Sequence, residues 1–212
     1  MPFYLLKYIV FNRVGVEGLE LVQGSLPSIG LRPRCLARLD AALGFEWLLT
    51  NGLGGYASST ILNVNMRKFH GLLFVAFNPP GNRHLLLSKL DEEVRIGKEV
   101  YPLGSNQFKD AIYPEGYRNL RGFEMGLFPT FYYQTRRVYL KKEIFMPHLR
   151  NAVVIRYEVF NGLDEPAALR IYPLINMRHF YETTNKGDFQ ASREEEGEKV
   201  LFEFSPKMGY LL

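Results

Sequence analysis

Apolar and polar positions change rhythm along the chain, and the change predicts its elements. Residues 1–34 carry no clear period and are punctuated by Pro27, Gly30 and Pro33. Leu36, Leu39 and Leu43 then fall at helical spacing, predicting two helical turns over 36–43 that Gly44 closes. From Glu46 onward the texture is that of strands. Residues 61–64 and 71–77 are short apolar runs read as strands, with Pro79-Pro80-Gly81-Asn82 as a turn. A further apolar run at 84–90 leads into the charged stretch 91–98, where Gly97 predicts a hairpin bend.

Residues 104–129 are rich in Gly, Pro and aromatics and weakly periodic, which reads as a long ordered loop. Four strand-like runs follow at 130–134, 138–145, 152–160 and 167–174. The segment Asn161-Gly162-Leu163-Asp164-Glu165-Pro166 is expected to join the last two as a hairpin. Val153, Ile155, Tyr157 and Val159 alternate with Val154, Arg156 and Glu158, a period of two that predicts a sheet with one wetter face. Another strand is expected at 200–204, beyond the polar stretch 183–198.

Many short strands, frequent turn signals and hardly any helix predict an all-β fold, a large antiparallel β-sandwich with long loops. The expected organisation is a poorly readable N-terminal extension over 1–35 and a sandwich domain over 36–212. The closing Met208-Gly209-Tyr210-Leu211-Leu212 reads as the start of another strand, so the sandwich is expected to be truncated at that end.

Composition narrows the classes. Among 212 residues, 16 Phe and 13 Tyr stand against one Trp; such rings suit pleated surfaces, and Tyr also suits sugars, offering a face and a hydroxyl. A net charge of +4 spread among acidic neighbours does not indicate nucleic acid, and a single-strand-binding reading of Tyr132 to Tyr139 yields to a strand pair joined at Arg136-Arg137. The single cysteine, Cys35, excludes an intramolecular disulfide and fits the cytoplasm. No run is long enough for a membrane span, and residues 4–11 lack the flanks of a signal peptide.

The candidate chemistry is sparse. His70, His84, His148 and His179 show no metal-ligand spacing, and neither a metal nor another cofactor is expected. Ser58-Ser59-Thr60 lacks a nucleophile-elbow pattern. The glycines of Asn51-Gly52-Leu53-Gly54-Gly55-Tyr56 lack the lysine of a phosphate loop and read as a tight turn. Asp91-Glu92-Glu93 is expected to be a solvated strand end in which only Asp91 and Glu93 share a face. Glu46 beside Trp47 is the more suggestive pair, a carboxylate for a sugar hydroxyl next to a ring that could stack.

The run Glu46-Trp47-Leu48-Leu49-Thr50-Asn51-Gly52-Leu53-Gly54-Gly55-Tyr56-Ala57-Ser58 resembles the opening signature of the amino-terminal domain of bacterial and archaeal glycogen debranching enzymes. The resemblance continues through Arg67-Lys68-Phe69-His70-Gly71-Leu72-Leu73, Leu85 to Glu92, Tyr113 to Tyr117, Lys142 to Pro147 and Arg170 to Arg178, covering roughly residues 36–190. It implies a large β-sandwich in an amylo-α-1,6-glucosidase system acting on α-glucan branch points, with the acid and base carboxylates on a following (α/α)6 barrel. These 212 residues hold no such barrel, so no catalytic residue transfers.

The expected function is therefore a non-catalytic domain or subunit supporting a separate barrel, which a separately encoded partner could supply. An exposed apolar patch is expected where the barrel docks. The alternatives are a free-standing α-glucan-binding module and an independent glycosidase. Residues expected at the glucan or the domain interface are Glu46, Trp47, Asn51, Tyr56, Arg67, His70 and Lys89.

Overall fold

The computed structural model describes residues 2–6, 29–31, 39–197 and 199–206. In chain order the strands are β1 (Pro2–Leu6), β2 (Ile29–Leu31), β3 (Glu46–Thr50), β4 (Tyr56–Thr60), β5 (Gly71–Asn78), β6 (Gly81–Ile96), β7 (Glu99–Pro102) and β8 (Asn106–Gln107). They continue with β9 (Ile112–Tyr113), β10 (Leu120–Met125), β11 (Pro129–Thr135), β12 (Val138–Phe145), β13 (Val154–Asn161), β14 (Ala167–His179), β15 (Phe189–Glu196) and β16 (Lys199–Pro206). One short helix, α1 (Leu39–Leu43), and a 3-10 turn at Gly116–Asn119 are the helical elements among the described residues.

Two large antiparallel sheets face each other. One runs β14-β6-β5-β4-β3, with β7 on the far half of β6; the other runs β13-β12-β11-β10-β2. A three-stranded sheet β1-β16-β15 and the β8-β9 pair complete the fold, an all-β sandwich. The period of two decides what lies between the large sheets. Val138, Leu140, Lys142 and Ile144 of β12 are buried, and Leu90, Glu92, Val94 and Ile96 of β6 meet them from the other side. Trp47 of β3 sets its ring edge against Phe131 of β11 at 6.3 Å.

The core also encloses charge. Lys142 Nζ lies 2.5 Å from Glu92 Oε1, and the Tyr157 hydroxyl donates to the same oxygen at 2.5 Å. Asp91-Glu92-Glu93 is thus not a solvated strand end. The runs at 84–90 and 91–98 belong to one 16-residue strand, whose alternation sends Glu92 into the core and Asp91 and Glu93 to the other face.

Other expectations need correcting. Residues 61–64 form a buried turn after β4, not a strand: Thr60 Oγ1 donates to Val64 O at 3.0 Å and closes it. Asn161 to Pro166 does not join a hairpin. β13 pairs with β12 and β14 with β6, so this segment crosses between the sheets. Local turn chemistry permits either outcome, and β14 finds a longer partner in β6. The span 104–129 contains β8, β9, β10 and the 3-10 turn, and 183–198 contains β15. A helix is described over Leu39–Leu43, and the rest of the expected 36–43 helix, Cys35 and 208–212 lie outside the described residues.

Candidate functional site

The β3–β4 hairpin presents two faces. Trp47 points between the sheets, so Glu46, Leu48 and Thr50 point out, paired across the hairpin with Thr60, Ser58 and Tyr56. The turn between the strands is built by Asn51. Its Oδ1 accepts from the backbone N–H groups of Leu53 at 2.9 Å and Gly55 at 3.0 Å. Gly52 and Gly54 take positive φ there (80° and 93°), as a tight turn requires. Asn51 Nδ2 donates to Arg150 O at 2.9 Å and Asn151 Oδ1 at 3.2 Å, locking the turn onto the segment after β12.

A second wall comes from residues 64–70, an irregular segment fixed by side chains. Ser59 Oγ donates to Asn65 Oδ1 at 2.8 Å, Asn65 Nδ2 donates to Ser88 O at 3.0 Å, and the Tyr56 hydroxyl donates to Phe69 O at 2.9 Å. Arg178, near the end of β14, donates to Lys68 O and, at 2.9 Å, to Glu182 O, while its guanidinium lies over the Phe74 ring. Arg83 and Phe180 close the third side. The Phe180 N–H donates to Arg83 O, and Arg83 Nε donates to Gly54 O at 2.6 Å.

Together these walls enclose an open groove of about 470 Å³ on the outer face of the sheet. Within it, Arg67 Nε lies 2.8 Å from Glu46 Oε1, and His70 Nε2 lies 3.4 Å from the same oxygen. His70 Nδ1 accepts the Met66 N–H at 3.0 Å, so the neutral imidazole carries its proton on Nε2, facing Glu46. Burial pushes the His70 pKa below 6.5 despite the nearby carboxylate. Burial also raises the Tyr56 pKa far above the phenol range, so its hydroxyl stays a donor. The Tyr56 ring stacks on Phe74 at 4.4 Å, and Phe69 stacks on Phe180 at 4.6 Å.

Of the seven candidate residues, Glu46, Tyr56, Arg67 and His70 converge on this groove and the other three do not. Trp47 is 3% exposed and donates its Nε1–H to Thr60 O, so the carboxylate and the indole lie on opposite faces of β3. Neighbours on a strand always part this way. Asn51 is wholly buried in its turn. Lys89 is buried on β6, its ammonium 2.6 Å from Ser105 O and 2.8 Å from Asp91 Oδ1, where it anchors the segment before β8. Burial lowers its pKa, with Asp91 opposing.

Sequence reasoning missed Leu48, Phe69, Arg83 and Phe180. Alternation from Glu46 could have found Leu48, and Phe69 lies within the quoted motif. Arg83 and Phe180 reach the groove only through the pairing of β6 with β14.

The groove offers an acceptor in Glu46, a donor in Arg67, and apolar surface in Leu48, Phe69 and Phe180, while His70 Nε2 is buried facing Glu46. Among the described residues, no group of three or more His, Cys, Asp or Glu could hold a metal ion, and no helix is long and apolar enough to cross a membrane. No curated protein and no solved structure matches the chain. The family described as glycogen debranching enzyme N terminal matches residues 46–211, a span that opens on Glu46 and contains every residue lining the groove. This chain belongs to the glycogen debranching enzyme N-terminal family.

Proposed function

We propose that the chain is a non-catalytic domain or subunit of a cytoplasmic glycogen-debranching hydrolase, supporting a separate (α/α)6 barrel that cleaves α-1,6 branch points. The observation that carries this reading is the state of the groove carboxylate. Glycosidic hydrolysis uses two carboxyl groups facing each other across the bond, about 5–10 Å apart. Among the described residues lining the groove, Glu46 is the one carboxylate, and it is engaged by Arg67 and faced by His70. The family match supports the glycogen-debranching context.

Glucose release from a branched limit dextrin tests the proposal. The purified chain is expected to match the enzyme-free control. Release above that control, lost in Glu46→Gln, would overturn the non-catalytic reading.

A further inference from the structure

We infer that the free edge of β13 pairs with β13 of a second copy of this chain, antiparallel about a two-fold axis through Tyr157, so that the two sheets become one. The inference does not rest on the debranching reading.

Among the described strands, β13 is the unguarded edge. It ends its sheet and is hydrogen-bonded only to β12. An edge strand presents a row of unpaired N–H and C=O groups, which proteins blunt with short strands, prolines, bulges or charge. The other edges show these devices. β1, β2, β3 and β7 have five residues or fewer, β14 is broken by Pro173 and two register shifts, and β15 carries Arg193-Glu194-Glu195-Glu196. β13 runs for eight residues without Pro, Gly or Lys and keeps an unshifted register against β12. Ile155 and Val159, on its core face, pack against the core yet are only partly buried, and a further strand would cover them.

The charges of β13 choose the occupant. Arg156 and Glu158 lie two residues apart on the outer face, 52% and 47% exposed. On the β12 side, Arg156 is opposite Glu143 and donates to it from Nε at 2.6 Å, and Glu158 is opposite Lys141. Pairing about Tyr157 sets Arg156 opposite the partner's Glu158. One row across the joined sheet then reads Glu143, Arg156, the partner's Glu158 and the partner's Lys141, alternating in sign, and the two-fold axis repeats it. Moving the axis to Arg156 or to Glu158 puts like charges opposite each other, which is destabilising. The same register sets Ile155 against Val159 on the core face and Val154 against Phe160 on the outer face, β-branched and aromatic pairs that favour a sheet.

Sedimentation velocity of the full chain between about 1 and 100 µM tests the inference, the range in which a small interface assembles. The parent is expected to dimerise. Arg156→Glu and Glu158→Arg each place two like-charged pairs at the axis, and each should weaken self-association about tenfold. Mixed in equal amounts, the two variants regain opposite charges in both pairs and should form a heterodimer, which also shows that both fold. Arg121→Glu, a charge reversal at an exposed position on β10, away from the β13 edge, should dimerise like the parent. Amide exchange of the parent needs no variant, and it should slow along 154–160 as the concentration rises. A parent that stays monomeric, or exchange that does not change there, overturns the inference. So does a dimer that both edge variants retain, or a mixture no more associated than its components.

Discussion

Lys142→Met asks the most of the core. The Lys142 and Glu92 side chains are each 2% exposed, with Nζ and Oε1 2.5 Å apart between the two sheets. Methionine fills the space of the lysine stem, so little packing is lost, but the Glu92 carboxylate keeps only the Tyr157 hydroxyl. Breaking a buried pair from one side costs about 3–5 kcal/mol, because a charge is left without its partner. At about 2–4 °C per kcal/mol for a domain of this size, the thermal midpoint should fall by roughly 6–20 °C. Adding Glu92→Gln removes the stranded charge and leaves an amide oxygen to accept from Tyr157. The double variant should therefore be more stable than Lys142→Met alone, with a coupling of about 2–3 kcal/mol in the cycle. Urea unfolding of the parent, both single variants and the double variant measures this coupling. A Lys142→Met loss below about 1 kcal/mol, or additive single effects, would refute the claim that this pair is desolvated and mutually dependent.

Two further perturbations probe the site's scaffold. Asn51→Ala strands two backbone N–H groups and frees the turn from Arg150 and Asn151; a loss of about 2–4 kcal/mol in urea unfolding is expected. His70 gives a pH signature. Burial lowers its folded pKa below the 6.5 of the free side chain, so below 6.5 the unfolded chain takes up a proton that the folded chain resists. Stability is then full above pH 6.5 and declines as pH falls towards the folded value. His70→Gln should flatten the thermal midpoint against pH in that window, leaving the part that belongs to His84, which burial shifts in the same direction. An unchanged slope would show that His70 is not buried in its neutral form.

Local pattern was legible where backbone geometry alone decides. The strand at 71–77 follows from its apolar run and that at 138–145 from alternation, the Arg136-Arg137 turn from the strands it joins, and the Gly97 bend and the glycine turn after Asn51 from positions that take positive φ. The family was legible too, because a thirteen-residue motif at 46–58 is long enough to be specific.

The sequence by itself also determined that Glu46 and Trp47 must part, since neighbours on any strand do. Only the tertiary structure decided which of the two faces the core. That choice depends on Phe131, 84 positions away, offering the indole an apolar partner. The same holds for β14, whose pairing with β6 instead of β13 sets Phe180 beside Arg83 and completes the groove. It holds as well for Glu92, an apparent surface charge until Lys142 and Tyr157 meet it across the sandwich. Dihedral preferences act over a few residues, whereas burial is settled by which distant faces exclude water together.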